Sequence, residues 1–301
     1  MTGFRAHDVT DQTGRTFLVT GANTGLGFEA TKVIAQRGAK VLLGCRSESK
    51  ANDAIERIVA EVPDADLGFV PLDQNDLSSV RAAADIVNAG PRLDVLVNNA
   101  GIMMTPLEFT ADGFESQFGV NHLGTFALTS LLLPKLAEQP DARVVVTSSI
   151  AHKPGRIDFD DLGAEHGYDP QTRYQQSKLA NLLFMYELER RLRASGSTTI
   201  AVACHPGIAA TELGRHLPKF VSFAMPLAKI VFNSAAEGAW PTLMAATSGE
   251  VTGGSYWGPS KRGETSGPAG PAMSTSRARD PQLAARLWDV SIEMTGIDPE
   301  I

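Results

Sequence analysis

Short apolar runs alternate with longer stretches of helical periodicity through the first two thirds of the chain. The runs are TFLVT (16–20), KVLLG (40–44), LGFVPL (67–72), DVLVN (94–98), RVVVT (143–147) and TIAVAC (199–204). Between them, apolar spacing predicts helices from about Leu26, near 48–61, near 76–89 and near 112–138, with another of about 172–194 carrying Tyr174. Within the runs apolar and polar residues do not alternate, so each predicts a strand buried on both faces. The expected class is α/β, a doubly wound parallel sheet with helices on both faces. No repeat or linker divides the chain, so residues 1–301 are expected to form one domain. Residues 1–13 are expected to be flexible and the Gly/Pro/Ser-rich stretch 253–280 to be an irregular loop, as is the polar insert 150–173.

Composition narrows the function classes. With 301 residues, 43% of them apolar, the chain can bury a large core. A formal net charge of -7 argues against a nucleic-acid surface. No apolar run is long enough to span a membrane and the first residues lack a secretory pattern, so no integral membrane segment and a cytoplasmic location are expected. Cys45 and Cys204 sit within apolar runs and read as small buried side chains. No metal-ligand spacing exists, so no metal is expected.

The chemistry-bearing motifs lie where the predicted strands end. TGANTGLG (20–27) places Gly21, Gly25 and Gly27 between a strand and a helix start, where small residues let a backbone approach a pyrophosphate; this marks the sheet as Rossmann-type. The second strand ends Gly44-Cys45-Arg46-Ser47 with no carboxylate until Glu48, and the planar fork of Arg46 suits a 2'-phosphate, hence NADP(H). NNAG (98–101) and VTSS (146–149) end the fourth and fifth strands. Tyr174 and Lys178 stand one helical turn apart, so the ammonium is expected to draw the phenol's pKa down. His122, His152, His166 and His205 show no sequence pairing with a carboxylate, and no G-x-S-x-G elbow exists.

TGANTGLG, Asp73, NNAG, Asn121 in VNHLG, Ser149, Tyr174/Lys178 and His205-Pro206-Gly207 through Thr211 follow one another in the order of the short-chain dehydrogenases/reductases, which the chain resembles over about residues 14–250. VTSSIAH, the insert before YQQSKLANLLF, CHPG and GSYWGP are most similar to the retinol dehydrogenase-like reductases. Ser149 and Tyr174 stand 25 residues apart, wider than is usual in the family. The resemblance implies that Tyr174 is the acid/base, that Ser149 hydrogen-bonds the substrate oxygen, that Lys178 binds nicotinamide ribose, and that Asn121 holds a relay water. It implies dinucleotide contacts at Gly21, Asn23, Thr24, Gly25, Leu26, Gly27, Arg46, Asp73, Asn98, Ala100, Gly101, Tyr174, Lys178, Pro206, Gly207 and Thr211.

The expected activity is NADP(H)-dependent interconversion of an alcohol and a carbonyl. The alternatives are an NAD-preferring alcohol dehydrogenase and a non-catalytic dinucleotide-binding sensor or scaffold; the complete Asn121/Ser149/Tyr174/Lys178 set argues against the latter. Met103, Met104 and Leu107 follow NNAG, and Phe220, Phe223, Met225 and Leu227 lie in the apolar stretch 217–232, which reads as core or substrate lid. Both segments point to a small lipophilic substrate. The helices near 112–138 and 172–194 could pair two subunits as a homodimer.

Overall fold

The six apolar runs become β1 (Thr16–Thr20), β2 (Lys40–Cys45), β3 (Leu67–Pro71), β4 (Val95–Asn98), β5 (Arg143–Thr147) and β6 (Ile200–Cys204). The computed structural model describes residues 3–208 and 233–301. Successive residues of a strand point to opposite faces, so Phe17 and Val19 of β1 pack into one core layer and Leu18 into the other. Helices α1 (Gly25–Gln36), α2 (Glu48–Glu61) and α3 (Leu77–Ala89) connect the first four strands. The strand order is β3-β2-β1-β4-β5-β6-β7-β8, with every neighbouring pair parallel except the last. The order reverses between β1 and β4, which opens a crevice at the carboxyl ends of the strands.

Three sequence expectations need correction. Residues 253–280 are not an irregular loop: they contain β7 (Tyr256–Lys261) and β8 (Ser266–Pro271), an antiparallel hairpin that extends the sheet. Residues 1–13 are not loose where they are described. Phe4 exchanges both backbone hydrogen bonds with Ala269 of β8 (2.9 and 2.8 Å), and Val9 is buried. Finally, the helix expected near 112–138 is a composite of α4 (Ser116–Phe118), a π-helical turn (Gly119–Leu123) and α5 (Gly124–Ala137). The Glu115 carboxylate caps its start by accepting from Gln117 N and Phe118 N, each at 2.8 Å.

Helix α6 (Pro170–Ala194) crosses the sheet face next to α5. A last helix, Pro281–Thr295, lies along α6, and its Trp288 ring sits 5.9 Å from Phe184 and 5.3 Å from Phe126. The α5–α6 face by which two subunits were expected to pair is thus covered by the chain itself. Among the described residues no helix is long and apolar enough to cross a membrane.

Candidate active site

The first βα turn leaves a helix N-terminus bare. Thr24, the N-cap of α1, has extended backbone and makes no side-chain capping bond, and no acidic residue occupies the first turn. Unpaired amides at the positive end of a helix attract an anion. Gly21 and Gly25 take φ of 65° and 58°. A Cβ on Gly27 would lie 2.4 Å from Gly21 O, so only glycine lets α1 pass this close beneath the turn. Gly21, Asn23, Thr24, Gly25 and Leu26 line a cleft of about 420 Å³, while Gly27 packs underneath.

At the far end of this cleft Arg46 is 77% exposed in its side chain, and its Nη1 is 3.9 Å from Asp73 Oδ2. The sequence reading missed Ser47 and Lys50, which line the same end. Lys50 stands four residues after Arg46 in the first turn of α2, a spacing that could have found it.

The NNAG turn is tied to β1. Asn99 N and Ala100 N donate to Thr20 Oγ1 (3.0 and 2.9 Å), and Asn99 Nδ2 donates to Thr20 O at 2.8 Å. Asn98 is a correction: its side chain is buried and donates to Thr129 Oγ1 at 3.0 Å, away from the cleft. Strand alternation explains the swap, since Asn99, Ala100 and Gly101 line the cleft instead. A Cβ on Gly101 would approach Asn121 Oδ1 to 3.0 Å and Lys178 Nζ to 3.3 Å. Asn121 is wholly buried on the π-helical turn and both ends of its amide are engaged. Its Oδ1 accepts from Ile102 N at 2.8 Å, and its Nδ2 donates to Ile102 O and Ser177 Oγ, each at 2.9 Å. The Asn121 side chain thus fixes the loop behind Gly101.

Pro170 and the capping carboxylate of Asp169, which accepts from Thr172 N at 2.7 Å, start α6 just before Tyr174. One turn on, Lys178 Nζ lies 5.6 Å from the Tyr174 ring centre and donates to Thr147 O at 3.4 Å. Ser148 turns back to Lys178 O at 2.7 Å, whereas Ser149 stands by the Tyr174 phenol and acts to lower its pKa. Ser149 Oγ also accepts from Ala151 N at 3.1 Å, which leaves its own proton free to donate. The electrostatics differ from expectation. Burial pushes the Tyr174 phenol up, only partly opposed by Ser149, and burial brings the Lys178 ammonium down to about 8. Desolvation outweighs attraction here because both groups are removed from water before a ligand arrives.

After β6, Pro206 lines the cleft, and Gly207 (φ 72°) packs so tightly on the β7–β8 turn that a Cβ would meet Thr265 O at 2.6 Å. Thr211, Phe220, Phe223, Met225 and Leu227 lie outside the described residues. Two of the four histidines named above do face carboxylates: His205 Nε2 is 3.6 Å from Glu264 and His166 Nδ1 is 3.3 Å from Asp161. His205 Nδ1 accepts from Gly207 N at 3.1 Å, so its proton sits on the side of Glu264. Glu264 is drawn down to about 2 by His205 and then by Lys153, its partner at 3.0 Å. Of the apolar residues expected beside the substrate, Met103 lines the cleft together with Ile102 and Thr105, whereas Leu107 is 43% exposed elsewhere.

A family model described as short chain dehydrogenase matches residues 15–221. The chain is 42% identical to human retinol dehydrogenase 11 over 287 residues, covering 94% of this chain and 86% of the relative. It is 41% identical to human retinol dehydrogenase 12, again covering 94% of this chain and 87% of the relative. Among solved structures, an uncharacterised protein from Mycobacterium paratuberculosis superposes with a TM-score of 0.83 at 41% identity, covering 100% of both chains.

Proposed function

Since the chain belongs to the short-chain dehydrogenases/reductases of the retinol dehydrogenase-like type, and so is an oxidoreductase acting on CH–OH and C=O groups, we propose that it uses NADP(H) on a lipophilic substrate with Tyr174 as acid/base. One observation carries this reading. Tyr174 and Lys178, with Ser149 acting on the phenol, stand at a glycine-lined cleft that runs to Arg46 and Lys50. The bare α1 N-terminus fits a pyrophosphate, and the flat floor at Ala100 and Gly101 fits a planar ring, so the residues present suit a dinucleotide.

A reduced nicotinamide held along this cleft would supply a hydride, and negative charge would develop on the carbonyl oxygen of the substrate. The Ser149 hydroxyl donates a hydrogen bond to that oxygen and the Tyr174 phenol transfers its proton to it. Lys178, a cation below about pH 8, stabilises the phenolate left behind. In the oxidative direction the same three groups run in reverse. Lipophilic specificity is supported by Ile102 and Met103 in the cleft wall and by the names of the relatives, which are retinol dehydrogenases.

Turnover of an aldehyde and ketone panel with NADPH and with NADH tests the reading. NADPH is expected to be preferred, because charge-assisted bonds to a 2'-phosphate are worth about 1.5–3 kcal/mol, or roughly ten- to a hundredfold. Arg46→Ala should erase most of that preference. Equal specificity constants for the two cofactors in the unmutated protein would show that Arg46 and Lys50 do not read the 2'-position.

The pH profile is a second check. Tyr174 is held above its ordinary pKa, so it stays protonated through neutral pH, while Lys178 loses its charge as pH rises through about 8. kcat/KM reports groups of the free enzyme. For NADPH-driven reduction it should be flat below pH 7 and fall by about tenfold per pH unit beyond the Lys178 pKa. A profile flat to pH 10 would rule out a role for the charged lysine.

A further inference from the structure

The insert 150–173 braces the wall of the site through Tyr168. Gln117 is wholly buried and uses both ends of its amide: Oε1 accepts from Met104 N at 2.8 Å, and Nε2 donates to Tyr168 Oη at 3.0 Å and Pro170 O at 2.9 Å. Tyr168 Oη in turn donates to Thr105 O at 2.7 Å. Met104 holds a φ of 52°, a left-handed conformation that an unbranched non-glycine residue keeps only when its surroundings hold it there. Its neighbours Met103 and Thr105 line the cleft, and Pro170 opens the helix that carries Tyr174. The insert itself is pinned by Arg173. This buried guanidinium donates to Asp161 O and Oδ2, each at 2.5 Å, and to Gly167 O at 3.2 Å.

Resting on the oxidoreductase reading above, we propose that Tyr168 and Gln117 clamp the 103–105 wall against the start of α6, and so act as positioning residues that set the substrate's chain-length specificity. The hydroxyl of Tyr168 bridges two segments that the backbone does not connect locally, residues 102–106 and the end of the insert. Without it, Thr105 O loses its partner and Gln117 keeps only Met104 and Pro170. The wall then drifts relative to Tyr174 while the glycine-turn half of the cleft, built from β1, α1 and β2, stays as it is.

Tyr168→Phe removes the hydroxyl and keeps the ring. Aldehydes from propanal through decanal would be reduced with NADPH by parent and variant, with NADPH affinity measured by fluorescence titration and amide exchange followed at residues 102–105. The best aldehyde should lose roughly five- to tenfold in kcat/KM, mostly through KM, as expected for one well-made hydrogen bond. Differences between chain lengths should shrink, NADPH affinity should stay within about twofold, and exchange at 102–105 should quicken by about tenfold. A chain-length profile superimposable on the parent's, with unchanged exchange, overturns the clamp. If the unmutated protein reduces no aldehyde or ketone with either cofactor, the oxidoreductase reading fails by itself. Exchange still decides the clamp in that case, faster exchange supporting it and unchanged exchange overturning it. Should Tyr168→Phe not fold, Gln117→Met, which keeps the volume and drops both ends of the bridge, carries the same expected shifts.

Discussion

Tyr174→Phe is expected to lower turnover by roughly a thousandfold or more, at the upper part of the range for losing a positioned general acid. Dinucleotide affinity should change by less than about threefold, since losing one hydroxyl at the Ser149 end is worth little outside the reaction. The asymmetry follows from position. The phenol is buried beside Ser149 at one end of the cleft, whereas the end proposed for the pyrophosphate is formed by Gly21, Asn23 and the first turn of α1. Steady-state rates from pH 6 to 9 together with a fluorescence titration check both halves. Near-normal rates in the phenylalanine variant would remove Tyr174 from the chemistry.

Lys178→Met should trade activity for stability. The fall of the lysine from 10.5 to about 8 is caused by burial and corresponds to about 3 kcal/mol by which the native protein disfavours the cation. The sign follows from the depressed value. The penalty is present in full below pH 8 and fades as pH rises toward 10.5, because there the unfolded chain holds the proton and the native protein does not. Native stability should therefore climb over that window in the unmutated protein and not in the variant. At pH 7 the methionine variant should be more stable by about 1–3 kcal/mol, as for other buried charges replaced by apolar groups of similar volume, and slower by roughly a thousandfold. Urea unfolding at pH 7 and pH 10 measures this, and a variant less stable at pH 7 would mean that the lysine supports the fold.

β1, β4 and β5 were legible because a strand covered on both faces must be apolar throughout, and TFLVT, DVLVN and RVVVT mark them to within a residue, whereas β3, at the sheet's edge, is only partly covered. β7 and β8 were not, since YWGPSK and SGPAGP contain no such run and owe their pairing to position at the sheet's end. The π-helical turn at Gly119–Leu123 was hidden because VNHL fits a continuous helical period equally well. At the site, one-residue alternation separates Asn98 from Asn99, and a motif shared by both cannot say which faces the cleft. The Tyr174 shift was misjudged because spacing gives the lysine's distance but not the depth of burial, which dominates. The partnership of His205 with Glu264 links residues 59 apart, which no local pattern reports.

The hairpin that closes the sheet also settles what a neighbouring molecule could do with its rim. The residues of β8 that face away from β7 are Gly267, Ala269 and Pro271. Gly267 N donates to Asn233 Oδ1 at 2.9 Å, Ala269 N donates to Phe4 O at 2.8 Å, and Pro271 has no N–H to give. A strand at the end of a sheet is ordinarily a template for edge-to-edge association, and proline or local capping is how such templates are blunted. Here every outward donor of β8 is already spent or missing. Pro271, one of the residues that hid this strand from the sequence pattern, thus joins the caps from Asn233 and Phe4 in keeping it from recruiting a strand of another chain.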